Sequence, residues 1–356
     1  MTVLPSALST GPILGIESSC DDTAASVLAA DGSVIAEAVF RQVDHDAFGG
    51  VVPEIAARAH LAILPGLVAR TMRQAGLRFD DLAAIAATTG PGLIGGLIVG
   101  SGYGKGAAIA HRKPFLAINH LEAHALTARL PSLGLGAEFP YLLLLVSGGH
   151  CQCIAVEGVG RHARLGGTID DAAGEAFDKV AKLLGLGWPG GPALELLAAE
   201  GDKTAHRFPR PLHGRPGCDF SFSGLKTAVA TVVASFPNGA LPRQAAADIA
   251  ASFQAAVADT LADRARNAMA MFREKHPDGD LLVVAGGVAA NSAIRSALMD
   301  ACAASHFRFA APPLKYCTDN ATMVAWAGLE RLRAGATGED LDVAPRPRWP
   351  LAELMP

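Results

Sequence analysis

YLLLLVSGGH, Tyr141–His150, is a continuous apolar run that ends in a Ser-Gly-Gly turn. Six apolar residues bounded by turn residues suit a strand buried on both faces. Cys151–Glu157 and Arg161–Leu165 read as two further strands, so Tyr141 opens a three-stranded run. The chain has done this once already. Ile13–Ile16, Ala25–Ala29 and Ser33–Phe40 form an earlier set, with Asp31-Gly32 as a hairpin turn.

Helices and strands alternate after each set. In the first copy an amphipathic helix covers Pro53–Ala75, followed by a buried strand at Ala83–Thr89. A Gly-rich helix over Leu93–Ala110, a strand at Phe115–Ile118 and a helix starting after Asn119 complete it. In the second, helices cover Asp171–Leu184, Gly191–Glu200, Gly224–Ser235 and Arg243–Lys275. A strand at Leu281–Ala285, a helix at Asn291–Ala303, a strand at His306–Phe309 and a last helix at Asp319–Ala334 follow. The spacing predicts a duplicated α/β architecture with extra helices inserted in the second copy. A chain of 356 residues exceeds the roughly 250–300 residues at which single cores stop growing. The expected lobes are residues 11–130 with 319–345, and residues 131–318, with 346–356 as a C-terminal tail. Duplicated lobes imply a ligand cleft between them, because ligands collect at domain interfaces and beyond strand ends.

The net charge of −4 is not the footprint of a protein that coats nucleic acid. Any RNA must meet a local basic patch or a partner's surface. Lys203, Arg207, Arg210 and Arg215 form one such cluster, and Arg346 and Arg348 a second. No apolar run approaches the ~20 residues that span a bilayer. No Lys or Arg precedes Arg41, and none of the six cysteines forms a C-x-x-C pair. A reduced cytoplasmic protein without membrane association is the expectation.

The chemistry concentrates in a few turns. His120-Leu-Glu-Ala-His124 puts two imidazoles four residues apart on one helical face, within reach of one metal ion. A zinc peptidase helix reads H-E-x-x-H; here Leu121 takes the place of that glutamate and the acid is Glu122. GIESSCDDT, Gly15–Thr23, crowds Glu17, Asp21 and Asp22 into a strand-turn-strand, where acids either cap amides or work as acid and base. Ser147-Gly-Gly149 exposes backbone amides suited to an anionic group. Asp178 lies beside an apolar helical stripe, where it would accept hydrogen bonds from sugar hydroxyls. Gly286–Asn291 joins strand to helix in a way that suits a nucleotide, although it is not G-x-G-x-x-G. Gly104-Lys105-Gly106 does not satisfy a P-loop, so the glycines of Gly90–Gly106 read as close helix packing. Thr318 or Asp319 reads as the N-cap of the last helix, or Asp319 as the carboxylate that completes a two-His metal set, suited to Fe(II) or zinc.

The ordered set of motifs resembles one family. GIESSCDDT, GGVVPE, GPGL, NHLEAH, LLVSGGH, IDDAAGEAFDK, DFSFSGLKT, GGVAAN and CTDN run in order from Gly11 to the tail RPRWPLAEL. Together they are similar to the TsaD (Gcp/YgjD) tRNA N6-adenosine threonylcarbamoyltransferases. The resemblance implies the actin-like ATPase, sugar kinase and Hsp70 (RNase H-like) fold. It implies one metal ion per subunit, Fe(II) with zinc as an in vitro alternative, on His120, His124 and Asp319. It implies substrate contacts at Leu145, Val146, Ser147, Gly148, Gly149, Asp178, Gly191 and Asn291. The implied reaction moves threonylcarbamoyl from L-threonylcarbamoyladenylate to N6 of adenosine 37 in tRNAs reading codons that begin with A, and AMP leaves. Implied partners are tRNA, a TsaB-like inactive paralogue and a TsaE-like ATPase, with a TsaC- or Sua5-type enzyme supplying the adenylate. Many members read C-D-E where this chain has Cys20-Asp21-Asp22, one methylene shorter at Asp22. The rival readings are a metallopeptidase, an actin-like ATPase or kinase, and a binding scaffold without the full metal triad.

Overall fold

The computed structural model describes residues 11–42, 45, 50–237 and 241–354. Positions 355 and 356 of the expected tail therefore lie outside the described residues. The chain divides into two compact units. Of the described residues, one gathers those up to Gly136, Gly158–His162 and those from Asp319 onward; the other holds those of Ala137–Glu157 and Ala163–Thr318.

The first unit carries strands β1 (Ile13–Glu17), β2 (Asp22–Leu28), β3 (Val34–Arg41), β4 (Ala84–Gly90) and β5 (Phe115–Asn119), in the order β3-β2-β1-β4-β5. The first three pair antiparallel, and β4 and β5 add on in parallel. The second sheet holds β6 (Tyr141–Val146), β7 (Cys151–Gly158), β8 (Arg161–Gly167), β9 (Leu281–Ala285) and β10 (Arg308–Ala310). Its order, β8-β7-β6-β9-β10, repeats the first strand for strand. The pairing repeats too: β6 is antiparallel to β7 and parallel to β9, and β10 is parallel to β9. The duplication expected from Tyr141 onward is thus present in the hydrogen-bond ladders.

Helix α1 (Pro53–Ala75) begins with Pro at its first turn and ends on Gly76 at φ 67°, a left-handed cap. It buries Ala56, His60, Leu64, Leu67, Val68 and Met72, a three-four repeat, against Leu14, Ile16, Val27 and Ile85 of the sheet. Helix α2 (Ile94–His111) buries Gly96, Gly100 and Gly104, and a Cβ on Gly104 would stand 2.9 Å from the Phe115 ring. Gly95, Gly96, Gly100 and Gly104 serve close packing, as the failure to form a P-loop suggested, whereas Gly102 and Gly106 face open space.

Helix α3 (His120–Leu126) follows β5 directly, and α10 (Ala321–Arg333) lies across the other face of the sheet. Gly15 makes that second approach feasible. A Cβ there would fall 2.4 Å from the Ala321 carbonyl and 2.6 Å from the Ala325 nitrogen. The tail also packs here: the Asn119 amide donates to the Trp349 carbonyl at 2.9 Å, and Arg346 donates its backbone N–H to Thr89 at 2.8 Å.

The second unit adds α4 (Ala173–Leu183), α5 (Gly190–Ala198), α6 (Ser223–Ala234), α7 (Arg243–Lys275), α8 (Ser292–Ala304) and a short α9 (Leu314–Cys317). Leu142, Leu144 and Val146 pack with Phe177, Phe220 and Phe253 in one core. The α9 turn has no counterpart in the sequence reading. Four residues after two prolines carry too little periodicity to be recognised.

Candidate active site and metal centre

Helix α3 is short, and its start is set by Asn119. The Asn119 side-chain oxygen accepts from the amides of Leu121 and Glu122, at 2.9 and 3.3 Å. That cap fixes the helical phase of His120 and His124, which stand edge-to-face with ring centroids 4.7 Å apart. The last helix is capped by Asn320, whose side chain accepts from Met323 at 2.9 Å. Neither Thr318 nor Asp319 is the cap, so the helix starts later than the spacing predicts. With the capping work done by its neighbour, the Asp319 carboxylate turns to the two rings. Its Oδ1 lies 3.2 Å from His124 Nε2 and 3.5 Å from His120 Nε2.

The two imidazole nitrogens and the carboxylate oxygen all lie within 4.8 Å of one another. Both rings are buried, while Asp319 keeps 26 % of its side chain exposed. Two nitrogens and one oxygen with an open side suit Fe(II) or zinc, so the donor set fits a resident cation. Burial works against a charged His120, yet Asp319 and then Glu17 outweigh it and lift its pKa to about 9. The pocket is electronegative enough to retain a proton, and a cation would take that proton's place.

Glu122 is elsewhere. Its side chain is fully buried, with Oε2 3.0 Å from Arg331 Nε and Oε1 accepting from the Gly160 amide at 2.8 Å. It is a structural ion pair and not a base beside the metal donors, which removes the geometric ground for a metallopeptidase.

The acids of the opening turn separate into distinct environments. Glu17 has no exposed surface; it accepts from the Ser19 amide at 2.6 Å and the Thr88 hydroxyl at 2.5 Å, and lies 3.2 Å from His120 Nδ1. Asp22 is buried beside Arg41 at 3.4 Å, and burial pushes its carboxyl up to about 6. Asp21 is half-buried in the turn between them. Thr88, Ser19 and the buried His60 were not singled out in the sequence. His60 lies 2.8 Å from Thr23 Oγ1 and 2.9 Å from the Cys20 carbonyl, and so braces the turn. Only the position of His60 on the apolar stripe of α1 hinted at this.

In the second unit the Ser147–Gly149 turn leaves β6. Ser147 donates its N–H to the His150 carbonyl at 2.8 Å, and its own carbonyl accepts from Gly174 at 3.1 Å. Gly148 and Gly149 are exposed, with open space where a Cβ would stand. Gly286, at φ 95°, would drive a Cβ to within 2.2 Å of the Val146 carbonyl, so only glycine lets β9 turn beside β6. Leu145 and Val146 themselves are fully buried in the strand. Asp178 accepts from the Gly190 amide at 2.9 Å, which ties it to the first turn of α5, where Gly191 follows. Burial raises its carboxyl, partly offset by the Gly190 and Gly191 amides. Asn291 caps α8 through Ile294 at 3.1 Å and donates to Gln254 at 2.7 Å.

The sequence pattern described as "TsaD: tRNA N6-adenosine threonylcarbamoyltransferase" matches residues 33–326. The chain belongs to the TsaD family. A protein of Granulibacter bethesdensis with the same description is 67 % identical over 348 residues, covering 96 % of this chain and 94 % of that protein. One of Gluconobacter oxydans is 63 % identical over 351 residues, covering 98 % and 95 %. TsaD proteins carry out the t6A modification of tRNA, transferring threonylcarbamoyl to adenosine N6, and that is the activity of this chain. Among solved structures, T. kodakarensis HypF matches with TM-score 0.60 at 15 % identity, over 91 % of this chain and 48 % of that one. The Acidaminococcus fermentans (R)-2-hydroxyglutaryl-CoA dehydratase component A matches with TM-score 0.51 at 16 % identity, over 91 % and 99 %. At such identity they report the fold alone, which is the duplicated actin-like ATPase type.

Proposed function

We propose that this threonylcarbamoyltransferase is metal-dependent, with His120, His124 and Asp319 holding one Fe(II) per subunit and zinc substituting in vitro. The convergence of both Nε2 atoms on Asp319 Oδ1 is the observation that carries this reading. The bound ion supplies Lewis acidity and a fixed positive charge for the transferring group. The second unit holds L-threonylcarbamoyladenylate. The backbone of Leu145–Gly149 takes its anionic part, and Asp178, Gly191 and Asn291 take its nucleoside. An exocyclic adenine amine is a weak nucleophile, so positioning supplies much of the rate. Asp21 and Asp22 are the candidates to accept the amine proton; Glu17, the third acid of that turn, has no exposed surface to offer the substrate.

The tRNA meets Lys203, Arg207 and Arg215, which are exposed, and the Arg346–Arg348 segment. The chain works in the cytoplasm with a TsaB-like paralogue and a TsaE-like ATPase, its mild net acidity being offset by their surfaces. Its lobes divide at about residues 130 and 319. Among the described residues, no helix is long and apolar enough to cross a membrane.

The test uses purified protein, its partners, unmodified tRNA and supplied adenylate, with modified nucleoside and AMP as products. His120→Ala and His124→Ala are expected to lose bound metal and transfer together. Full transfer by a metal-free His120→Ala variant would overturn the reading.

A further inference from the structure

Glu17 is a charged side chain with no exposed surface, and substrate binding gives it no task. Its two oxygens are occupied differently. Oε1 accepts from the Ser19 amide at 2.6 Å. Oε2 accepts from the Thr88 hydroxyl at 2.5 Å and faces His120 Nδ1 at 3.2 Å. The opposite nitrogen of that ring, Nε2, faces Asp319. A buried carboxylate is tolerated only where donors surround it, and an Nδ1–H is the donor this geometry offers. His124 lacks such support: its Nδ1 is buried with no hydrogen-bond partner among the described residues. Two imidazoles that are equivalent in sequence spacing are therefore unequal in their surroundings.

We propose that Glu17 is the positioning residue of the metal centre. It accepts the Nδ1 proton of His120, fixes the tautomer that presents Nε2, and makes His120 the stronger imidazole donor of the pair. This rests on the reading that His120, His124 and Asp319 hold a cation. Glu17 then acts on the ring and not on substrate, as its complete burial requires. The competing acceptor is Ser19 Oγ, also 3.2 Å from Nδ1. A carboxylate wins that competition, because charge-assisted hydrogen bonds are roughly twice as strong as neutral ones.

The experiment uses the full-length protein loaded with zinc. Affinity is read by competition with a chromogenic chelator, and ring protons by NMR on 15N-histidine protein. Glu17→Gln is expected to weaken zinc binding by about 10- to 100-fold, the usual range for a group that supports a metal-bound histidine. Ser19→Ala, which removes a neutral hydrogen-bond partner, should change it by no more than about threefold. The wild-type spectrum should contain a downfield Nδ1–H resonance that disappears in His120→Gln and moves upfield in Glu17→Gln. Unchanged affinity in Glu17→Gln, or a loss confined to Ser19→Ala, overturns the proposal. If Glu17→Gln does not fold, the wild-type resonance decides: a downfield Nδ1–H supports Glu17 and its absence rejects it. A wild-type protein that binds neither zinc nor iron rejects the metal reading itself. The metal-free His120 Nδ1–H then still reports whether Glu17 holds the ring.

Discussion

His124 Nε2 and Asp319 Oδ1 lie 3.2 Å apart although 195 residues separate them in the chain. Asp319 is the only acid of the trio, so it would supply the negative charge for the proposed cation. Asp319→Asn keeps the shape and removes the charge. Its zinc affinity, measured by chelator competition, should fall by more than about 100-fold, beyond the range seen for supporting residues. Asn320→Ala should instead cost about 1 kcal/mol of unfolding free energy, as expected for a lost helix cap. A variant order opposite to this one would show that the cap and the donor had been confused.

The Glu122–Arg331 pair joins α3 to α10 through a carboxylate with no exposed side chain. Removing Glu122 takes the acceptor from the Gly160 amide and leaves Arg331 with Glu339, at 3.1 Å, as its other carboxylate. Glu122→Ala should therefore destabilise the protein by about 1–3 kcal/mol, the cost of a buried polar group left unsatisfied, read from urea unfolding. A loss below about 1 kcal/mol would place the pair among ordinary surface bridges.

Asp22 makes stability depend on pH in a predictable direction. Burial is the larger influence and raises its carboxyl from 3.8 to about 6, with Arg41 offsetting part of the rise. Between those values the folded protein keeps a proton that the unfolded chain has released. Stability should therefore fall as pH rises through that window and stop changing above it. Asp22→Asn should flatten this dependence by about 2 kcal/mol between about pH 4 and about pH 7. The check is a series of urea midpoints, and an unaltered slope in the variant would refute the assignment.

The basic segment of the second unit has two kinds of arginine. Arg210 is tied to Asp259 at 2.8 Å and to the Phe208 carbonyl at 2.7 Å. Lys203, Arg207 and Arg215 are exposed. Replacing those three by Ala should weaken tRNA binding and lower the salt slope by about one for each phosphate that is no longer neutralised. Arg210→Ala should mainly cost stability, at most about 1 kcal/mol. A salt slope identical to wild type in the triple variant would exclude this segment from the tRNA surface.

Part of the site was legible because its two histidines sit at a local spacing. The i, i+4 histidines of α3 and the Asn119 that starts the helix are short-range features, and they stand where the periodicity puts them. The roles of the acids were not legible. Glu17, Glu122 and Asp22 are three similar side chains in polar-looking motifs. One braces against a histidine and a threonine, one is locked by Arg331, and one is buried beside Arg41. Each role depends on a partner from a distant element, and local periodicity carries no record of such partners.

Element positions were encoded locally. α1, β6, α7 and β9 begin and end where side-chain periodicity and flanking turn residues put them. The duplication followed, since it needs only the order of those elements. Assembly through space chose the rest. It selected Asn320 over Asp319 as the cap, let α10 settle on Gly15, and set Asp319 against the rings of α3. The physical reason is range. Helix and strand preferences are settled among residues a few positions apart, whereas a metal donor set and the pairing of buried charges exist only once packing has brought remote segments within hydrogen-bonding distance.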